Sequence, residues 1–232
     1  MPTDVNARTG LYFPDDGELD NRLLGPRLVE AVRAAGGQIR EQARVLALTP
    51  SLGGIDVQTA VHSDRFDQVV LATGHTIDGL VDIEPAVREI RPAKGQMLAL
   101  SPGHIDLPFC LRSPDIYLSQ KSDGRIVIGA SSEFDRNDAA VDGSIIDELR
   151  LRAERWITSL GLQTEIERWA GVRPSTSDRH PILGAGKLPG VHLALGLYRN
   201  GVLLAPAVAE LVADSVLSGK NVPAEFQAGR FN

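Results

Sequence analysis

Apolar residues first recur at helical spacing. Leu24, Leu28, Ala31, Val32 and Ala35 share one face of a helix that Asp20 caps and Gly36-Gly37 stops in the left-handed region. Gly25-Pro26 offers a second starting point, because a first-turn proline loses no hydrogen bond. The pattern then turns to strands at 42–48, 55–61 and 66–72, with Pro50-Ser-Leu-Gly-Gly54 as the turn between the first two. Val69-Val-Leu-Ala-Thr73 is continuously apolar, as expected of a strand covered on both faces.

After Gly74 the texture changes. Residues 88–100, 116–120 and 125–130 read as antiparallel strands, the last two joined at Ser122-Asp-Gly124. Residues 143–160 read as an amphipathic helix with Ile146, Leu149, Ala153, Trp156 and Ile157 inward. Strands return at 166–172 and 191–195. A last helix runs from near Gly201 to Ser218-Gly219, with Pro206 in or near its first turns, where a missing N–H matters least. This order predicts an α/β (α+β) fold of two interleaved parts, bounded at 1–80, 81–165 and 166–232, the two ends forming one part and the antiparallel middle the other. There is no internal repeat and no low-complexity segment.

Composition narrows the function. The 232 residues carry a formal charge of -6, which disfavours nucleic acid or an anionic membrane surface as partner. The polar start Met-Pro-Thr-Asp-Val-Asn does not read as a signal peptide. The longest apolar run, 202–217, contains Pro206, Glu210 and Asp214 and reads as too short and too charged to span a bilayer. The single Cys110, in the apolar Leu107-Pro-Phe-Cys-Leu111, cannot form an internal disulfide and fits a cytoplasmic setting. Nothing in the sequence suggests a metal site.

Two stretches carry candidate chemistry: Trp169-Ala-Gly-Val-Arg-Pro-Ser-Thr-Ser-Asp-Arg-His-Pro-Ile-Leu-Gly184 and Leu195-Gly-Leu-Tyr-Arg-Asn-Gly-Val-Leu-Leu-Ala-Pro206. In the first, Arg173 sits at a strand end before Pro174, which turns the chain out of the strand, and a guanidinium fork suits a carboxylate. Thr176 and Asp178 shape the following loop, and His180 before proline reads as structural. In the second, Gly196 and Gly201 flank a turn that opens the last helix, whose N-terminus offers unpaired N–H groups and partial positive charge. Leu71-Ala-Thr-Gly74 is a strand ending in glycine, which lets backbone approach a bulky ligand closely. Taken singly, each has an ordinary alternative: a salt bridge at Arg173, a tight turn at Gly74, a capped core helix after Gly196.

Taken together, the two stretches resemble the C-terminal part of the D-amino-acid oxidase superfamily, and within it the glycine oxidases of thiamine biosynthesis. Pro92-Ala-Lys-Gly-Gln-Met-Leu98 matches the family's Pro-x-x-Gly-Gln-Met, with Lys94 read as a surface or loop charge. The similarity extends from Gly10-Leu-Tyr-Phe-Pro14 to Arg230-Phe231. The resemblance implies an incomplete FAD-binding mixed sheet plus an antiparallel substrate domain. It implies FAD as cofactor, with Val45 on the adenine side and Thr73, Gly74, Gly196, Asn200, Gly201 and Val202 around it. Arg173 would hold the substrate carboxylate, Tyr117 would turn its hydroxyl to the substrate, and Arg199 would be a second substrate or flavin contact. Family members commonly read Gly-His-x-Arg-Asn-Gly, whereas this chain has Leu197 at the second position. No Gly-x-Gly-x-x-Gly follows a strand near the start. The expectation is therefore that a further N-terminal segment, or a separate flavin-binding subunit, supplies the dinucleotide-binding unit. The implied activity is oxidative deamination of glycine or small D-amino acids to α-keto acid, ammonia and peroxide. The rivals are a D-amino-acid dehydrogenase and a non-catalytic remnant.

Overall fold

The computed structural model describes residues 5–7, 9–76 and 79–231. In chain order the long elements are α1 (Asn21–Ala34), β1 (Val45–Ser51), β2 (Gly54–Thr59), β3 (Ser63–Phe66), β4 (Val69–Leu71), β5 (Ile90–Leu100), β6 (Leu111–Arg112), β7 (Tyr117–Gln120), β8 (Ile126–Gly129), β9 (Glu133–Phe134), α2 (Gly143–Trp156), β10 (Glu165–Thr176), β11 (Ile182–Ala185), β12 (Val191–Leu195) and α3 (Gly201–Ser218). They divide into two compact units. The first takes the described residues up to Ile39, with 94–133 and 138–171; the second takes 40–93, 134–137 and 172 onward. The chain passes from one to the other within β5 and again within β10.

In the first unit the strand order is β10-β5-β8-β7-β6, with β9 also on β5. Leu98, Leu100, Leu118, Ile126 and Ile128 line its buried face against Ile146, Leu149 and Ala153 of α2. Asp142 caps α2 through the Ser144 N–H at 2.9 Å, and the helix ends at Trp156, giving way to a 3-10 turn over Thr158–Leu162. Trp156 is only half-buried. The expected boundary at residue 80 placed the N-terminal helix with the cofactor half, but α1 clusters in this unit. Its anchors are ionic: Arg125 reaches the cap residue Asp20 at 2.5 Å, and Arg22 pairs with both oxygens of Glu167 (2.8 and 2.6 Å) while lying 5.1 Å from the Trp169 ring centroid. The helix starts after Asp20 and runs through Pro26, so Gly25-Pro26 is not its start. The face carrying Leu28 and Val32 stays exposed.

Lys94 corrects the reading of a surface charge. Its side chain is 1% exposed in β5 and its Nζ lies 2.6 Å from Asp138. A buried ammonium is tolerated only with such a partner. Gln96, fully buried, donates to Glu133 at 3.0 Å and accepts from the Asp142 N–H at 2.7 Å. Together these side chains fasten the chain after β8 onto β5.

The second unit holds two three-stranded sheets, β1-β2-β3 and β11-β12-β4. They share a core in which Leu48 and Ile55 meet Leu71, Val191, Leu193 and Leu195. The expected strand 66–72 is broken in two: Phe66 ends β3 opposite Ile55, and Val69 begins β4 beside Val191. The expectation of cover on both faces also fails, because β4 is an edge strand with Val70 43% exposed. α3 packs Val208 and Val212 against Leu183 of β11, while Val202, Leu203 and Leu217 remain exposed. Gly219 at φ 67° closes it. By length and composition α3 could cross a membrane, with mean hydropathy 1.6 over 18 residues, so the reading of this run as too short to span is not supported by length. Glu210 and Asp214 remain within it.

Candidate active site

Strand β12 runs parallel to β4 with Leu193 beside Leu71, so both strands deliver their C-terminal turns to the same end of the sheet. Ligands of open α/β sheets gather at that end. Thr73 and Gly74 follow β4, and Gly196 follows β12. Both glycines have left-handed backbone, φ 63° and 75°. A Cβ at Gly74 would meet nothing within 4 Å, whereas one at Gly196 would lie 2.6 Å from Thr176 Cγ2. Gly74 is thus an open approach, and Gly196 lets two segments pack tightly.

Those segments are the two motif-bearing stretches of the sequence. The Tyr198 N–H donates to the Pro174 carbonyl at 2.8 Å, so the turn before α3 is tied to the residue after Arg173. β10 continues through Pro174 to Thr176, and Arg173 lies half-buried within it, not at its end. Proline is accepted because β10 is an edge strand. Arg199 and Asn200 are exposed on the turn. Asn200 occupies the cap position of α3 without a side-chain capping bond, leaving the amides of Gly201 and Val202 at an open helix N-terminus. Val45 lies apart from this sheet end, at the start of β1 in the other sheet and 46% exposed.

The loop after β10 is held by charge. Asp178 accepts from Arg230 at 2.7 and 3.2 Å and from the His180 N–H at 3.0 Å, and Thr176 Oγ1 donates to the His180 carbonyl at 2.7 Å. The Arg230 guanidinium holds the Asp178 carboxyl well below the usual carboxylate range. The His180 side chain is exposed, and the loop is bonded through its backbone N–H and carbonyl. A carboxyl with a lowered folded pKa stabilises fully above its unfolded value of 3.8, and that stabilisation disappears as pH falls below it. Asp178→Asn is therefore expected to lower stability at pH 7 and to flatten the loss between about pH 4 and pH 2, measured as urea midpoints across pH. A wild-type acid slope retained by the variant would count against the pair.

Tyr117 belongs to the first unit. It pairs with Gly129 across β7 and β8, where a Cβ on Gly129 would lie 2.8 Å from the phenol oxygen. Its hydroxyl is 3.6 Å from Met97 Sδ. His192, buried in β12, sits between Ser215 (3.2 Å) and Gln68 (2.9 Å), and burial lowers its pKa. No group of three or more His, Cys, Asp or Glu able to hold a metal occurs among the described residues.

The family described as FAD dependent oxidoreductase matches residues 1–215. This chain belongs to that family. A bifunctional protein ThiO/ThiG of Synechocystis is 37% identical over 92% of this chain, which spans 33% of that protein. Glycine oxidase of Bacillus licheniformis is 28% identical over 95% of the chain and 61% of the relative. The crystal structure of glycine oxidase from Geobacillus kaustophilus superposes with a TM-score of 0.80 at 28% identity, covering 88% of this chain and 56% of that one. The chain thus spans between a third and three-fifths of the relatives it matches, and its mixed α/β fold is theirs. FAD is the family's cofactor. The sheet end fits such a group: an open glycine after β4 and a helix N-terminus with uncapped amides suit a bulky ligand that becomes anionic. Sequence reasoning missed β11, the Tyr198–Pro174 hydrogen bond and the burial of Lys94. Only the β11 segment, Ile182-Leu-Gly-Ala185, left an apolar signal.

Proposed function

We propose that the protein oxidises glycine and small D-amino acids with FAD, giving α-keto acid, ammonia and peroxide. The reading is supported above all by the joining of the Arg173 strand to the turn before α3 through the Tyr198–Pro174 hydrogen bond. Arg173 would grip the substrate carboxylate with its planar fork. Arg199 would lie on the flavin side, and Tyr117 would turn its hydroxyl toward the substrate. Thr73, Gly74, Gly196 and Asn200 would bring backbone close to the cofactor, and Val45 would lie on its adenine side. The amides of Gly201 and Val202 would face negative charge, which the partial positive end of α3 favours. When bound, FAD supplies the acceptor for two electrons and a proton's equivalent from the α-carbon, with oxygen restoring it. No general base is needed when the amine arrives neutral.

A dinucleotide-binding segment, on the same polypeptide or as a separate subunit, would complete the site. The exposed apolar residues Val70 on β4 and Val202 and Leu203 on α3 support such a covering segment. A cytoplasmic setting and a role in thiamine biosynthesis belong to the same reading. In the holoenzyme, meaning this chain together with that segment and FAD, peroxide release is expected with glycine and D-alanine, less with bulky D-amino acids and none with L-amino acids. Because a misfitting methylene discriminates by only about 1–3 kcal/mol, the preference should be graded. Turnover only with a quinone-type acceptor, or fastest with D-phenylalanine, would assign the chain to the dehydrogenases instead.

A further inference from the structure

Phe134 opens the segment 134–137, which folds with the second unit while the chain on both sides of it folds with the first. The backbone is held on both sides of Phe134. Before it, Glu133 accepts from buried Gln96 at 3.0 Å; within it, the Asp135 N–H donates to the Pro92 carbonyl at 2.9 Å. The Phe134 ring lies 5.9 Å from the ring of Tyr198 at an interplanar angle of 37°. Tyr198 in turn is the residue whose N–H is bonded beside Arg173.

Both sides of this pair depend on left-handed backbone at residues other than glycine: Asp135 at φ 59° and Tyr198 at φ 47°. That conformation is costly for a residue with a side chain and tends to persist where a ligand site uses it. The pair is not core packing, since Phe134 is 46% exposed. Two aromatic rings are therefore held at fixed backbone positions, partly in solvent: Tyr198 on the turn that carries Arg199 and is bonded beside Arg173, and Phe134 against it. Rings limit space sharply because they have few torsions and do not compress.

We propose that Phe134 and Tyr198 form the wall that limits the α-substituent of the substrate, admitting hydrogen or methyl and disfavouring larger groups. The proposal rests on the amino-acid reading above, with Arg173 as the carboxylate anchor. Fixing the carboxylate leaves the α-substituent to meet whatever stands beside the anchor, and Tyr198 stands there with the Phe134 ring tilted against it.

The test measures binding, without turnover. Dissociation constants of acetate and of phenylacetate, which is acetate carrying a phenyl group on its α-carbon, are read from the flavin absorbance of the holoenzyme. Wild type, Phe134→Ala and Phe134→Leu are compared. Phe134→Ala is expected to tighten phenylacetate about tenfold and to leave acetate within about twofold. Phe134→Leu, which keeps an apolar side chain and guards against a folding defect, should shift the same ratio less. If the two ligands change together, or neither changes, the ring is structural and the wall is wrong while the amino-acid reading stands. If wild type binds neither carboxylate, the amino-acid reading itself fails, and the wall with it.

Discussion

Arg173→Lys is expected to lower kcat/KM for glycine by roughly thirtyfold or more, the equivalent of about 2 kcal/mol. Lysine keeps the charge but offers a single ammonium where the guanidinium presents two parallel N–H donors to a carboxylate. The position allows no easy compensation: Arg173 is half-buried within β10, and its strand is bonded through Pro174 to the turn at Tyr198. Steady-state kinetics on the holoenzyme, with the urea midpoint as a check on folding, would measure the loss. Unchanged kcat/KM at unchanged stability would make Arg173 a structural residue.

Gly196→Ala should lower stability by about 3 kcal/mol. Two costs coincide there. The backbone at φ 75° is poorly suited to a side chain, and the new Cβ would lie 2.6 Å from Thr176 Cγ2. Thr176 cannot easily yield, since it is buried and its hydroxyl bonds to the His180 carbonyl. Gly171→Ala is the matched control: it lies in β10, has no neighbour within 4 Å of the added methyl, and should change stability by no more than about 0.5 kcal/mol. Equal urea midpoints for the two variants would show that the Gly196 turn yields without cost.

Much of the fold was legible because its signals are local. Asp20 and Gly219 mark helix ends through bonds or φ angles that involve only their own neighbourhood. The inward face of α2 follows from spacing, and Ile146, Leu149 and Ala153 are buried. What could not be read depends on partners distant in sequence. The run 66–72 reads as one strand, but Phe66 pairs with Ile55 while the Val69 N–H goes to the Gly190 carbonyl, so the chain changes sheets between them. β11 is short and carries Gly184 at φ 82°, a poor strand signal overcome by its pairing with β12. Lys94 looked like a surface charge because nothing in its neighbourhood points to Asp138.

The candidate site divides the same way. Arg173, Gly74 and Gly196 stood out from residue type and motif, since arginine before proline and glycine at strand ends carry their own physical reasons. The bond from Tyr198 to Pro174 and the contact of the Phe134 ring with Tyr198 are tertiary facts with no local trace. The apolar face of α1 carries the opposite lesson. Its apolar spacing is real, yet Leu28 and Val32 are exposed and the helix is held by Arg22, Glu167, Asp20 and Arg125.

The measurement that bears most directly on the proposed chemistry is anaerobic reduction of the holoenzyme, followed at the flavin absorption bands. Glycine and D-alanine should bleach the oxidised flavin to completion, L-alanine should leave it unchanged, and admitting oxygen should restore the spectrum with peroxide formed. A flavin that stays oxidised under glycine and D-alanine, while Arg173→Lys and wild type behave alike, would contradict the assignment of this chain to small amino-acid oxidation.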